Sequence, residues 1–306
     1  MTIMKFEEFA EKITEDILSY LPEEFKTSKV GLRKVTKNND VVLTGLDITQ
    51  EGSVITPTIH LESFYEKYIE GMSLEEILER IADLRVQTDV KTLGFDPDEI
   101  AEFDKVRDKI FPKLVNKDFN KTKLQDLVYT EFSETEDLAV IYAIEANVKT
   151  DAGMGSITIT KQIFDRWDIS LEELDRIAKE NIAGTEKFQT LREAMIEMYG
   201  GVDLGIIPEE ETPWMYFLSN KSRINGSNVI LNTQVLDEVA EKVGDFIIIP
   251  SSIHEVLIVP RNEETDTSAL NDMVNDVNTS TVSKDEWLSD KVYTYDPSTK
   301  KVTVAA

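Results

Sequence analysis

The chain has 306 residues, enough for two domains, and 41% are hydrophobic, so ordinary cores can form and a disordered chain is excluded. It contains no cysteine, which removes disulfides, thiolate catalysis and Cys-ligated metal sites and points to a reducing compartment. Lys plus Arg is 33 against Asp plus Glu 59, a net charge of −26, which repels phosphate backbones and anionic membrane surfaces alike.

The N-terminal residues move quickly from Phe6 into Glu7-Glu8 and lack the apolar core of a signal peptide. No apolar run approaches the roughly 18–20 residues of a membrane span. The expectation is a cytoplasmic protein.

Residues 4–20 are expected to form a helix, with Phe6, Phe9, Ile13 and Ile17 on one face and Pro22 as its stop. Three β runs follow over 29–35, 41–48 and 54–61. The turn residues Asn38-Asn39-Asp40 and Glu51-Gly52 separate them, giving an antiparallel meander. Pro57 places the third run at an edge or a bulge. His60, at the end of that run, reads as a structural hydrogen bonder rather than a ligand or a catalytic group. Phe64, Tyr65 and Tyr68 read as packing residues. Ser73 and Glu76 form a capping box opening a helix with Leu74, Ile77, Leu78, Ile81 and Leu84 in one stripe. Asp96-x-Asp98 does not make a calcium loop, because the glycine and glutamate such a loop needs are missing. Asp96 as N-cap, Pro97 at the first helical position and Glu99 at the third fit a helix start.

The pattern weakens over 116–137, and a boundary is expected near residue 133, giving domains of 1–133 and 134–306. The apolar run over 138–146 suits a buried central strand. A turn over 151–155 and a strand over 156–160 come next. The "GMG" of that turn is followed by a β run rather than a helix, so it carries no nucleotide-binding meaning. Ser170-x-x-Glu173 opens a second capped helix. Further helices are expected over 186–199, 233–243 and 266–277. Strands are expected over 214–218, 246–249, 256–259, 291–295 and 301–304. The fold class is α+β: a helix plus antiparallel meander, then a mixed-sheet, α/β-like second domain. No tract repeats at a fixed period.

"PSSIHEV" places the second histidine beside two serines and a glutamate. A triad would need Ser251 or Ser252 activated by His254, but residues this close in sequence rarely supply that geometry, and the Gly-x-Ser-x-Gly elbow is missing. His-Glu without a second histidine is not a zinc motif. The segment reads as a capped turn between two strands. Pro250, Ser251, Ser252, His254 and Glu255 form a candidate interaction loop, and no catalytic, cofactor-binding or metal-ligating residue is assigned. Between 262 and 290 eight acids (Glu263, Glu264, Asp266, Asp272, Asp276, Asp285, Glu286 and Asp290) stand against one base, Lys284. That stretch would carry a nucleic-acid mimic face, if the chain has one.

Several phrases occur together: "SYLPEEFK", "VTKNND", "LTGLDI", "PTIHLESFYEKYIEGMSLEEILERI", "DFIIIPSSIHEVLIVP", "MVNDVN" and "LSDKVYTY". With them the chain resembles, over nearly its whole length, a family of uncharacterised cytoplasmic proteins of Gram-positive bacteria known only as a domain of unknown function. "WDISLEEL", from Trp167 to Leu174, is more loosely similar to a second family without known activity. Neither resemblance implies a reaction, a cofactor or a site residue. The function expected is therefore a non-enzymatic regulatory or interaction protein, with another protein, basic in charge, as its partner and no cofactor, nucleic acid or membrane. The alternatives are an acidic nucleic-acid mimic that inhibits a DNA-processing enzyme and, less favoured, a serine hydrolase.

Overall fold

A computed structural model describes residues 3–51, 56–88, 97–150, 153–208 and 213–305. It divides the chain into two compact units. The first comprises Met1–Lys37, Val41–Lys105 and Glu145–Ser156; the second comprises Asn38–Asp40, Val106–Ile144 and Ile157–Ala306. Residue 133 lies within the second unit. There the backbone N–H of Glu134 donates to Val302 (3.2 Å) and that of Val302 to the Ser133 hydroxyl (3.0 Å).

In the first unit, helix α1 (Phe6–Tyr20) buries Phe9, Ala10, Ile13 and Ile17, the stripe set by its spacing. Burying each large apolar chain contributes about 1.5–3 kcal/mol. Helix propensities differ by less than about 1 kcal/mol per residue, so packing is what holds this helix. Its end follows from Pro22, which pushes Leu21 into extended backbone. Strands β1 (Lys29–Thr36) and β2 (Val42–Thr49) pair over eight residues, from Lys29 opposite Thr49 to Thr36 opposite Val42. Strand β3 (Thr58–His60) pairs with β2 and forms the sheet edge, so Pro57 precedes an edge strand and costs no ladder bond. Gly52, Val54 and Ile55 lie outside the described residues. Helices α2 (Glu62–Ile69) and α3 (Leu74–Gln87) complete the core through Tyr68, Ile77, Leu78, Ile81 and Ala82. The Ser73–Glu76 box is formed in both directions. One cation is taken inside: Arg85 is 1% exposed, donates to the Ile48 carbonyl at 3.0 Å and lies 4.7 Å over the Phe25 ring. Asp96 lies outside the described residues; Pro97–Ala101 forms a short 3-10 turn, followed by α4 (Phe103–Val106).

In the second unit, β4 (Ile110–Asn116) and β5 (Tyr129–Glu131) flank the first half of β6 (Leu138–Thr150); from Glu145 onward β6 belongs to the first unit, as does β7 (Gly153–Thr158) up to Ser156, which also pairs with β6. Pro112 is tolerated in β4 because that strand is an edge. After the short α5 (Lys161–Phe164), helix α6 (Leu171–Ile182) starts on the Ser170 hydroxyl, which accepts from the Glu173 N–H. The segment 186–199 is not one helix. It divides into strand β8 (Glu186–Thr190) and helix α7 (Leu191–Met198), because Thr190 caps the backbone N–H of Glu193 and Glu193 returns the bond.

A six-stranded antiparallel sheet follows, in the order β13-β12-β10-β11-β9-β8. Its other strands are β9 (Tyr216–Asn220), β10 (Phe246–Ile249), β11 (Glu255–Pro260), β12 (Tyr293–Asp296) and β13 (Lys301–Val304). Trp214 lies before β9 rather than in it. Among the described residues the parallel component is a single bridge, Glu134 with Thr303. Strand β10 is buried along its length. Ile247 and Ile249 pack with Val274 of helix α9 (Thr267–Ser280). Phe246 stacks on Tyr295, whose hydroxyl donates to Asp237 (2.9 Å) of helix α8 (Thr233–Val243). Helices therefore cover both faces, which is why this strand reads as an unbroken apolar run.

Asp137 is the polar centre of this unit. It is 4% exposed and accepts from Asn116 (3.1 Å), the Ser289 hydroxyl (2.6 Å) and the Tyr293 hydroxyl (2.9 Å). Asn in its place would set an amide NH2 against one of these donors. Asp137→Asn is expected to lower stability by about 2–3 kcal/mol, as the shift of a urea unfolding midpoint would show. Burial, and then the Asp137 charge, hold the Tyr293 hydroxyl well above its ordinary range, and burial does the same for Tyr142. The folded chain keeps these protons while an unfolded tyrosine releases its own near pH 10. The contribution is thus complete below about pH 10 and is lost as pH rises beyond it. Unfolding free energy should fall above about pH 10, and Tyr293→Phe should make that fall shallower by about one proton.

Candidate functional site

The turn between β10 and β11 is built by the groups that the sequence singled out. Pro250 ends β10, and the Ser251 N–H returns to the Ile249 carbonyl at 2.9 Å. Ser252 closes the turn three ways. Its N–H donates to the Glu255 carbonyl (3.2 Å), its hydroxyl donates to Glu255 Oε1 (2.8 Å), and the same hydroxyl accepts from the His254 N–H (2.9 Å). The carbonyls of the turn are also engaged. His254 O accepts from the Ser219 hydroxyl (2.7 Å) and Ile253 O from the Ser227 hydroxyl (2.8 Å); both serines are fully buried. Ser219 and Ser227 were not selected from sequence, because nothing in a lone serine announces a distant carbonyl.

The imidazole of His254 is half-buried. Its Nδ1 accepts from the Asn225 N–H at 3.2 Å, so in the neutral ring Nε2 carries the hydrogen, 3.5 Å from Glu286 Oε1. This is a base with an orienting carboxylate: the Ser252 hydroxyl is committed to Glu255, and among the described residues no serine bonds to the ring. The arrangement can bind and position; among the described residues no hydroxyl stands beside the ring for the Ser–His proton transfer that acyl transfer requires. His60, in the first unit, ends β3 opposite Gly45 and is half-buried. Among the described residues no group of three or more His, Asp or Glu is placed to hold a metal ion.

The acids of 262–290 are divided in use. Asp266 caps α9 on the N–H groups of Ser268 and Ala269, Asp285 accepts from Ser283, Glu286 faces His254, and Asp290 accepts from Asn278. Glu263, Glu264, Asp272 and Asp276 are exposed.

A different surface stands out on α7 and the segment after it. Met198, Tyr199, Val202, Leu204, Ile206 and Trp214 are large apolar side chains, each more than half exposed. They adjoin a cavity of about 220 Å³ lined by Arg192, Glu193, Ile196, Ile207, Pro213 and Trp214. Arg192, one of its lining residues, forms an ion pair with Asp203 (2.5 Å). Scattered apolar residues on a surface are ordinary, but a contiguous group is not.

The model of the Family of unknown function (DUF5688) matches residues 6–297, and the chain belongs to that family. No curated protein and no solved structure matches the chain. Among the described residues no helix is long and apolar enough to cross a membrane.

The turn gives a sharp test of its structural role. A Cβ on Gly226 would lie 2.5 Å from the His254 carbonyl oxygen and 2.8 Å from the Asn220 nitrogen, both backbone atoms that cannot swing aside. Gly226→Ala should cost at least about 2 kcal/mol. Ser219→Ala, which removes a hydroxyl donor from the part-buried His254 carbonyl, should cost about 1–3 kcal/mol. Ser251→Ala should stay within about 0.5 kcal/mol. Thermal unfolding of the three variants checks that order, and a fluorophosphonate probe should label none of the serines.

Proposed function

We propose that this member of the family is a cytoplasmic, non-enzymatic protein that works by binding another protein, basic and amphipathic, through the apolar surface around α7. The observation supporting this reading is the exposed group from Met198 to Trp214 beside an open cavity. Its charge gives the partner's chemistry. Between residues 186 and 214 seven acids (Glu186, Glu193, Glu197, Asp203, Glu209, Glu210 and Glu211) accompany two bases, Lys187 and Arg192. An apolar group in a stretch of acidic excess suits a surface with large apolar side chains flanked by Lys and Arg. One such side chain would enter the cavity as the anchor. The turn over 250–255 has a structural role here, because the Ser252 hydroxyl and much of its backbone are bonded within the chain. The cytoplasmic assignment draws on the lack of cysteine. Nucleic acid and membrane have no part in this reading. A nucleic-acid mimic is a weaker reading, since Asp266, Asp285, Glu286 and Asp290 are tied into local bonds instead of standing free as phosphate substitutes.

The test uses a synthetic amphipathic Leu/Lys helix and its Leu/Glu counterpart, titrated into the full chain. The Leu/Lys helix should bind, more weakly at higher salt, and Ile206→Ser with Trp214→Ser should weaken it at least about tenfold without shifting the melting temperature. Equal binding by the double variant, or by the Leu/Glu helix, would count decisively against the assignment. So would salt-insensitive dimerisation in sedimentation, which would make a second copy the occupant.

A further inference from the structure

The first unit holds a cavity of about 500 Å³ between the end of β3 and helices α2 and α3. Periodicity builds its walls. On α3, Arg80, Asp83, Leu84 and Gln87 recur at i, i+3, i+4 and i+7 and so share one side of the helix. The adjoining side carries Ile77, Leu78 and Ile81 into the core. On α2, Phe64 and Lys67 are three residues apart and face the same space, while Tyr68 turns to the core. His60 lines the end where β3 gives way to α2. The size lies within the range of about 300–1,000 Å³ typical of small-molecule sites.

Charge at this cavity runs against that of the chain. Lys67 and Arg80 line it, and Asp83 is the one acid among its described lining residues. Among the described residues neither cation forms an ion pair, although the chain carries 59 acids. Lys67 instead lies 5.8 Å over the Phe64 ring, and Arg80 acts on Glu76, one turn away, only at longer range. Two available cations beside an aromatic ring, on rigid helices, are what an anion with an organic body requires.

We infer that this cavity binds a small organic phosphate. The planar fork of Arg80 and the point charge of Lys67 take the phosphate oxygens. Phe64 and Leu84 offer an apolar wall to the organic part. Asp83 supplies an acceptor that hydroxyl or amino groups on that part would use. The chain's net charge opposes a polyphosphate strand, but at physiological salt its field is screened over about 8 Å, so two local cations decide the fate of a single phosphate. The residues belong to a different unit from the partner surface proposed above, so neither reading depends on the other.

Calorimetric titration of the full chain with adenosine monophosphate, a hexose phosphate, inorganic phosphate and adenosine tests the inference. At least one of the two organic phosphates should bind with a Kd below about 1 mM, with inorganic phosphate and adenosine at least about tenfold weaker. Arg80→Gln and Lys67→Gln should each reduce that affinity about tenfold. Both side chains are exposed, so melting should be unchanged, and Arg80→Lys, which keeps the charge and loses the fork, should fall between. Failure of both organic phosphates to bind below about 1 mM would overturn the site. So would binding unmoved by these substitutions, or equal binding by adenosine or inorganic phosphate.

Discussion

A carboxylate withdrawn from water persists only where donors surround it, and in the second unit that constraint falls on Asp137. Desolvating the ion costs several kcal/mol, while each hydrogen bond to it returns about 1.5–3 kcal/mol. The net stabilisation is therefore modest, but the geometry is strict. Asn116, at the end of β4, Ser289, ahead of β12, and Tyr293, at its start, must all point at one group. That requirement fixes where the segment from Lys284 to Ser289 runs. The same segment supplies Glu286, whose carbonyl receives the Ile253 N–H at 2.9 Å and whose carboxylate faces His254. The turn that looked most like chemistry in the sequence thus owes its shape to a buried acid more than a hundred residues earlier.

What could be read in the sequence was whatever depends on near neighbours. Helices α1, α3 and α8 announce themselves through a 3.6-residue stripe and a cap or a breaker at the ends. The β1–β2 turn does so through Asn39 and Asp40, which take the left-handed backbone that Asn and Asp tolerate. Strands β4 and β5 gave no such signal. β4 holds a proline and a lysine and has β6 on one side only, so its pairing is set by a partner some thirty residues away. The segment 186–199 failed for another reason. Its spacing of Phe188, Leu191, Met195 and Met198 mimics a helix, and the Thr190–Glu193 box that divides it was masked by that pattern. Local capping outweighed apparent periodicity because it satisfies backbone donors that a continuous helix would satisfy differently.

The candidate sites divide along the same line. The Ser-x-x-Glu spacing of 252–255 was legible as a closed turn, and its bonds have that form. Its supports, Ser219, Ser227 and Gly226, were not, because each acts on backbone carried by another element. Nothing in the sequence singles out Lys67 or Arg80. They become a pair only when α2 and α3 pack with Tyr68 and Ile77 inward. Nor could the sequence show that Leu204 and Ile206 are exposed, since apolar residues after a Gly-Gly stop are as readily buried as bare.

Net charge and apolar exposure then take separate parts. Acidic residues spread over a surface raise encounter rates with a basic partner and keep copies apart, but exposed charge contributes little affinity once screened by salt. Affinity has to come from area removed from water, and the described chain offers large apolar side chains in one compact stretch, from Met198 to Trp214. On the proposed reading, a basic partner would be drawn by many carboxylates and held by few residues. The cavity of the first unit follows the inverse logic. Its ligand gains nothing from the overall field, so recognition has to be local and directional, as a guanidinium fork and an ammonium over an aromatic ring allow. One acidic chain can in this way serve two unlike ligands, because long-range charge selects one of them and short-range geometry the other.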